Sequence, residues 1–315
     1  MVEILRSWRT GMVSQCHALY AKVYYGLRFL AHKNRRVLRW VQSFRAYLVL
    51  GPLRKLFIWY YQKYSKNAPF ITDASRILPA INTERIVNTL EEAGYAHVGT
   101  LPQELVNEIL AYCDAHKRIR YVNPHRDCDA IYRLCRNADI VGIARQYLGT
   151  EPILWLTRLR WSIPASDGGA DLQPSVHRDP VDYDPHGFHY DTNDFKSLTF
   201  FVYLTDIDEL DSGAHVVVEG SHKNKTFWEI RNKILDDDVV YRTYGDRVRT
   251  ILGKKGTMFV EETSTYHKVA ACKQRRLILM IDYVLARKVP PEPPMTFQRD
   301  MDPSAERVGY HTSQK

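Results

Sequence analysis

Residues 188–206 read FHYDTNDFKSLTFFVYLTD, a run of aromatic and β-branched residues that suits a buried strand. Its opening does not suit one. His189 and Asp191 stand two positions apart, and side chains at i and i+2 of an extended chain point to the same face. One face of this segment therefore begins with a histidine and a carboxylate where a core strand would carry apolar groups, so both side chains can reach one metal ion.

Around this stretch the chain has the texture of a β protein. From residue 152 onward ILWLTRLRWSI, SLTFFVYLTDI, AHVVVEG, GTMFVEETS and RLILMIDYVL recur, separated by Gly, Asp, Asn and Ser. No helical period interleaves them, which excludes a doubly wound parallel sheet and predicts a β-sandwich or jelly roll. Helices precede it. TERIVNTLEEAGY predicts a helix capped at Asn82 or Thr83 and ended by Gly94, and QELVNEILAYCDAHK a second one after Pro102. The fold class is thus mainly β with flanking helices.

The 315 residues are 45% hydrophobic, enough to bury a core. The five cysteines are odd in number and form no CxxC pair, which argues against a disulfide framework and for a reducing compartment. With no export signal or spanning segment recognised, the expected location is cytoplasmic, or peripheral on a membrane. The net charge of +8 is unevenly spread: residues 1–66 hold thirteen Lys or Arg against one acid, Glu3, and thirteen aromatics. Three regions follow: a basic, aromatic, helical N-terminal extension (1–66), a globular domain (67–289) and an irregular, proline-rich tail (290–315). Val37, Trp40, Val41, Phe44, Tyr47 and Leu48 keep helical spacing, as do Leu53, Leu56, Phe57, Tyr60 and Tyr64 beyond Pro52. These helices either dock on the domain or lie on an anionic membrane surface. Nucleic acid is not the expected partner, because none of its usual recognition motifs is present.

A facial metal site needs a third ligand, and FVEETSTYHKV supplies His267, 76 residues beyond Asp191. Two histidines and one carboxylate with the opposite face open is the pattern of non-haem Fe(II) oxygenases. Eight and nine residues past His267, Arg275 and Arg276 open the strand RLILMIDY, where a guanidinium fork can grip a dicarboxylate. On these runs, together with SGAHVVVEGSHK and GKKGTMFVEETSTYHKV, residues 90–285 resemble the phytanoyl-CoA dioxygenase family of Fe(II)- and 2-oxoglutarate-dependent oxygenases.

The resemblance implies a double-stranded β-helix (jelly roll) core with iron at its mouth. It implies His189, Asp191 and His267 as iron ligands and Arg276 as the anchor of 2-oxoglutarate, with Arg275 as the alternative one position away. It further implies dioxygen as co-substrate, ascorbate as a supporting reductant, and hydroxylation of a C–H bond with release of succinate and carbon dioxide. Asp191 matters here, since relatives that halogenate lack that carboxylate. The implied substrate is a small molecule, a lipid or a lipid-linked compound. Residues 222–252 correspond to an insertion expected to overhang the site.

Further candidates come from the residues themselves. VHRDPVDYD offers a second HxD pair, His177 and Asp179, which otherwise reads as a polar loop or a substrate entrance. Arg158 and Arg160 share one strand face, and Arg160, Trp161 and His177 are the candidate substrate contacts. His215 and His222 read as structural, and Asp236–Asp238 as a solvated loop. The reading from a different class is a catalytically silent jelly roll that binds a metal or ligand as a membrane-tethered scaffold.

Overall fold

The computed structural model describes residues 43–44, 46–65, 67–73, 77–79, 81–167 and 187–286. His177, Asp179, the tail from residue 290 and two thirds of the basic extension lie outside the described residues. Two antiparallel sheets form the body. The larger has the order β1 (Tyr95–Thr100), β9 (Thr257–Glu261), β5 (Ser197–Tyr203), β11 (Arg276–Val284), β3 (Ile153–Ser162) and β2 (Arg120–Val122). The smaller runs β7 (Ile234–Leu235), β4 (Phe188–His189), β10 (His267–Val269), β6 (His215–Val218) and β8 (Val248–Ile251).

Strand β5 is buried along its whole length because both faces of its sheet are covered. Leu198, Phe200 and Val202, with Leu277, Leu279 and Ile281 of β11, pack toward the helices. Phe201 and Tyr203, with Ile278 and Phe259, pack toward Val217 and Ile251 of the smaller sheet. Alternation along each strand therefore supplies two cores from one sheet, the arrangement expected when sheets stack face to face. The predicted jelly-roll class agrees with this two-sheet architecture.

The helical layer consists of α1 (Arg54–Tyr64), α2 (Thr83–Ala93), α3 (Gln103–His116), α4 (Asp129–Arg136) and α5 (Ala138–Leu148). The Asn82 side chain caps α2 by accepting from Arg85 N at 2.9 Å, and Gly94 closes it in the left-handed region at φ 85°. Gly94 has a second constraint: a Cβ there would lie 2.5 Å from Thr265 Oγ1 and 2.6 Å from His222 Nδ1. The helix end can approach the smaller sheet only because the side chain is missing.

Residues 222–252 are not a simple overhang. They form α6 (Phe227–Arg231), β7, α7 (Asp237–Tyr244) and β8, and β7 and β8 are the two edge strands of the smaller sheet. The segment completes the sheet because β4 and β6 would otherwise leave their outer hydrogen-bonding edges unpaired. Asp236 lies just ahead of α7 and Asp237 in its first turn, where the helix dipole favours carboxylates, and Asp237 pairs with Lys268, the neighbour of His267.

Helix α1 docks on the domain through a buried ion pair. Arg54 donates to Phe195 O at 2.8 Å, to His222 O at 3.1 Å and to the Glu262 carboxylate. Phe57 and Tyr61 stack on Phe195 with centroids 4.7 and 5.7 Å apart. Glu262 also accepts from Ser264 Oγ at 2.6 Å and from the Tyr147 hydroxyl. Burial by itself raises a carboxyl pKa; the Arg54 guanidinium, His222 and these hydroxyl groups outweigh it and hold Glu262 down at about 2. No helix among the described residues is long and apolar enough to cross a membrane.

Because Glu262 ionises more readily folded than unfolded, its contribution is complete above about pH 4.5 and is lost as pH falls toward 2. Arg54→Ala strands a buried carboxylate and is expected to lower unfolding free energy by about 3–5 kcal/mol near neutral pH. Urea unfolding at pH 7 and pH 3 checks this, with a smaller difference at the lower pH.

Candidate active site

His189 ends β4 and His267 opens β10, and the two strands pair with His189 directly opposite His267. Cross-strand partners project to the same side, so the backbone register alone brings the imidazoles together, with ring centroids 4.5 Å apart. Asp191 follows two residues after His189, and its N–H donates to Thr263 O at 2.7 Å. That bond ties the Asp191 loop to the turn preceding His267. All three candidate ligands are thus positioned by backbone contacts between residues 187–193 and 261–267.

Both histidines hold their Nδ1–H with protein acceptors. His189 Nδ1 lies 3.0 Å from Gly187 O; His267 Nδ1 lies 3.0 Å from Thr265 O and 3.1 Å from Glu261 Oε1. Donation through Nδ1 fixes the tautomer whose lone pair is on Nε2, the usual outer support of a metal-binding imidazole. The other Glu261 oxygen, Oε2, lies 2.6 Å from His215 Nε2. Glu261 is fully buried and is therefore the outer carboxylate of this cluster, joining His215 to His267.

The electrostatics favour a cation here. Burial opposes ionisation of Asp191, yet the neighbouring His267 and His189, with Lys233 and Arg158, bring its pKa below the usual range. Glu261 behaves likewise, with His267 and His215 overcoming its burial. Burial first, then the proximity of His267, pushes His189 down to about 3, so it is a neutral donor at physiological pH. His267 goes the other way, to about 9, because Glu261 and Asp191 outweigh its burial. Glu261 and Asp191 together thus call for positive charge beside His267.

The residues fit Fe(II) in donor type, tautomer and charge. Among the described residues, no three His, Cys, Asp or Glu side chains already converge in ligating geometry, so closing a three-ligand set needs side-chain rotation. His189, Asp191 and His267 would hold the ion, with Glu261 orienting His267.

Arg276 lies at the start of β11 and is 2% exposed. It shares a face with Ile278, whose partner across the sheet is Tyr203, so it points between the two sheets. Its guanidinium sits 5.5 Å from the Tyr203 ring, and among the described residues neither Nε nor Nη2 has a hydrogen-bond partner. A buried guanidinium short of two acceptors is costly unless an anion completes it. Arg275, by contrast, is exposed and stands 3.7 Å from Asp167; alternation along the strand distinguishes these adjacent arginines. Gly213 makes room for Arg276: its φ is +85°, and a Cβ there would lie 2.7 Å from Arg276 Cδ.

Arg160 pairs across β11 with Ile278, Arg158 with Met280, and Arg120 of β2 with Arg160. The three arginines therefore line the inner face of the larger sheet. Arg158 pairs with Asp282 at 2.8 Å, which also accepts from Thr199 Oγ1 at 2.6 Å. Trp161 lies on the other face, opposite Leu277, and packs against the core beneath the helices, away from Arg160. Glu261, His215, Gly213 and Arg120 were not singled out as site residues by the sequence. Glu261 had a usable signal, since in TMFVE it occupies the inward phase with Phe259.

No family model matches the chain. It is 27% identical over 229 residues, 67% of this chain and 74% of the relative, to a probable alpha-ketoglutarate-dependent hypophosphite dioxygenase of Stutzerimonas stutzeri. Among solved structures it is similar to the epimerase SnoN in complex with Fe3+, alpha ketoglutarate and nogalamycin RO, with a TM-score of 0.46, 19% identity, and coverage of 64% of this chain and 83% of that one. EctD from S. alaskensis with 2-oxoglutarate and 5-hydroxyectoine gives a TM-score of 0.46 at 13% identity, over 69% of this chain and 80% of that one.

Glu261→Gln keeps the shape but removes the charge that supports His267. Fe(II) affinity is expected to fall about 10–100-fold, measured by anaerobic calorimetric titration. An unchanged affinity would place Glu261 outside the support of the metal.

Proposed function

We propose that this protein is an Fe(II)- and 2-oxoglutarate-dependent oxygenase with the site layout of the phytanoyl-CoA dioxygenase family. The observation that carries the proposal is Arg276: a guanidinium 2% exposed, facing between the sheets, with two nitrogens lacking acceptors among the described residues. It lies close enough to His215 for its charge to help lower that imidazole's pKa, after burial and alongside His267. His215 in turn joins Glu261 and His267. An anion anchor and a two-histidine, one-carboxylate cluster thus share one interior.

When bound, iron and 2-oxoglutarate activate dioxygen, and oxidative decarboxylation to succinate and carbon dioxide drives oxygen insertion into a substrate C–H bond. The residues divide that work. His189, Asp191 and His267 bind the metal; Glu261 and the carbonyls of Gly187 and Thr265 hold the imidazoles in the ligating tautomer; Arg276 binds the distal carboxylate of 2-oxoglutarate. The carboxylate at Asp191 favours hydroxylation over halogenation. Phe201, Phe259 and Ile278 form an apolar wall beside the anchor, which excludes water and strengthens the charge pairing.

For the substrate, the inner row of Arg120, Arg158 and Arg160 favours a molecule that carries an anionic group, since guanidinium forks suit phosphoryl and carboxylate oxygens. The S. stutzeri relative is named for an anionic phosphorus compound, in keeping with that preference. A silent scaffold would have no physical use for a buried Arg276 alongside a charged ligand cluster.

Anaerobic addition of Fe(II) and 2-oxoglutarate should produce the weak visible charge-transfer band of the chelated complex, with slow succinate formation once oxygen is admitted. Arg276→Gln is expected to raise the 2-oxoglutarate concentration needed for half-maximal signal about 100-fold, equivalent to losing a buried charge-assisted pair. Gly213→Ala should shift it in the same direction by displacing Arg276. Neither band nor succinate from iron-saturated protein would overturn the proposal in favour of the scaffold.

A further inference from the structure

Among the described residues, the helical stretch from 46 to 64 has two apolar faces, and the domain covers only one. In α1, Arg54, Phe57, Ile58 and Tyr61 turn toward the body, while Lys55, Leu56, Trp59 and Lys63 form the opposite, exposed side. Leu56 is 56% and Trp59 49% exposed, and Lys63 Nζ lies 5.1 Å from the Trp59 ring. Just before it, Ala46, Val49 and Leu50 are buried while Phe44 and Tyr47 are exposed. A helix apolar on both sides is ordinarily buried on both.

A second element presents exposed rings beside Tyr47. Tyr47 meets Phe227 of α6 edge to face at 6.1 Å, and Phe227 and Trp228 are 66% and 49% exposed. Their display is built in. A capping box between Thr226 and Glu229 fixes the start of α6, and Ile230 alone among its apolar residues turns inward. Tyr190 donates to Ile230 O at 2.5 Å and Tyr266 to Glu229 O at 2.9 Å, so α6 is held by the residues next to His189 and His267. Soluble monomers rarely present so many aromatic and leucine side chains in adjoining elements.

We infer that this face, made of Tyr47, Leu56 and Trp59 with Phe227 and Trp228, docks the protein on an anionic lipid bilayer. Charge selects that occupant: residues 1–66 hold thirteen Lys or Arg against one acid. Lysines beside Trp and Leu on one helix side suit the interface, where stems and rings sit among acyl chains and ammonium groups reach phosphate. A second copy of this chain would bring like charges together. The inference stands apart from the iron chemistry, and binding is read without turnover.

The test is co-sedimentation of the full chain with phosphatidylcholine vesicles and with vesicles that also contain phosphatidylserine. Binding to the anionic vesicles alone is expected, weakening as salt rises, with a blue shift of tryptophan emission. The double substitutions L56S/W59S and F227S/W228S should each weaken binding about tenfold or more. If a variant is poorly folded, quenching of the unsubstituted protein by brominated acyl chains reads insertion directly. Absence of binding, binding indifferent to both substitutions with no quenching, or a dimer that L56S/W59S dissolves would each overturn the inference.

Discussion

The pairing of β4 with β10, which sets His189 opposite His267, is the constraint on which the rest of the site depends. Side chains on paired strands meet only if register holds, and a slip of one residue would send each imidazole to the other face. Register is defended where β4 leaves the pair and β10 enters it. Asp191 N–H binds Thr263 O and Tyr266 N–H binds the Ser221 hydroxyl, while β7 and β6 flank the pair within the smaller sheet.

Glu261 and Glu262 show how one short segment serves two ends. Successive residues leaving a strand point to opposite sides. Glu261 turns inward and joins His215 to His267; Glu262 turns outward and receives Arg54 from α1. Both carboxylates are buried, and each is affordable only because cations and donors surround it. The helix that carries the exposed aromatic side is therefore fastened to the residue beside the Glu261–His215–His267 cluster.

The interior between the sheets concentrates uncompensated polarity. Arg276 lacks two acceptors among the described residues, and His215 Nδ1 and Glu261 Oε1 also lack hydrogen bonds meeting ordinary geometry. Native interiors hold few such groups. Their gathering in one place, beside Phe201, Phe259 and Ile278, distinguishes this interior from the apolar core beneath the helices. Such a region costs stability unless partners complete it, and the two apolar cores on either side of the larger sheet supply the rigidity that holds its lining residues in place.

Period-two alternation made the β class legible in the sequence, and capping chemistry made α2 legible, with Asn82 and Gly94 where local rules place them. These features are local, so neighbouring residue types suffice to determine them. β4 ends at His189, so Asp191 is placed by its bond to Thr263 O rather than by strand alternation. The choice between Arg275 and Arg276, the outward turn of Trp161, the supporting roles of Glu261 and His215, and the closure of the smaller sheet by residues 222–252 are different. Each depends on which strand lies beside which, across separations of tens of residues, and no local spacing encodes that. The two-faced composition of the N-terminal helices was visible in the sequence, but only packing decided which face is spent on the domain, through Arg54 and Glu262, and which remains outside. Sequence determines what a segment can bury, whereas the tertiary fold decides against what, because register, burial and charge pairing are properties of neighbours brought together by the whole chain.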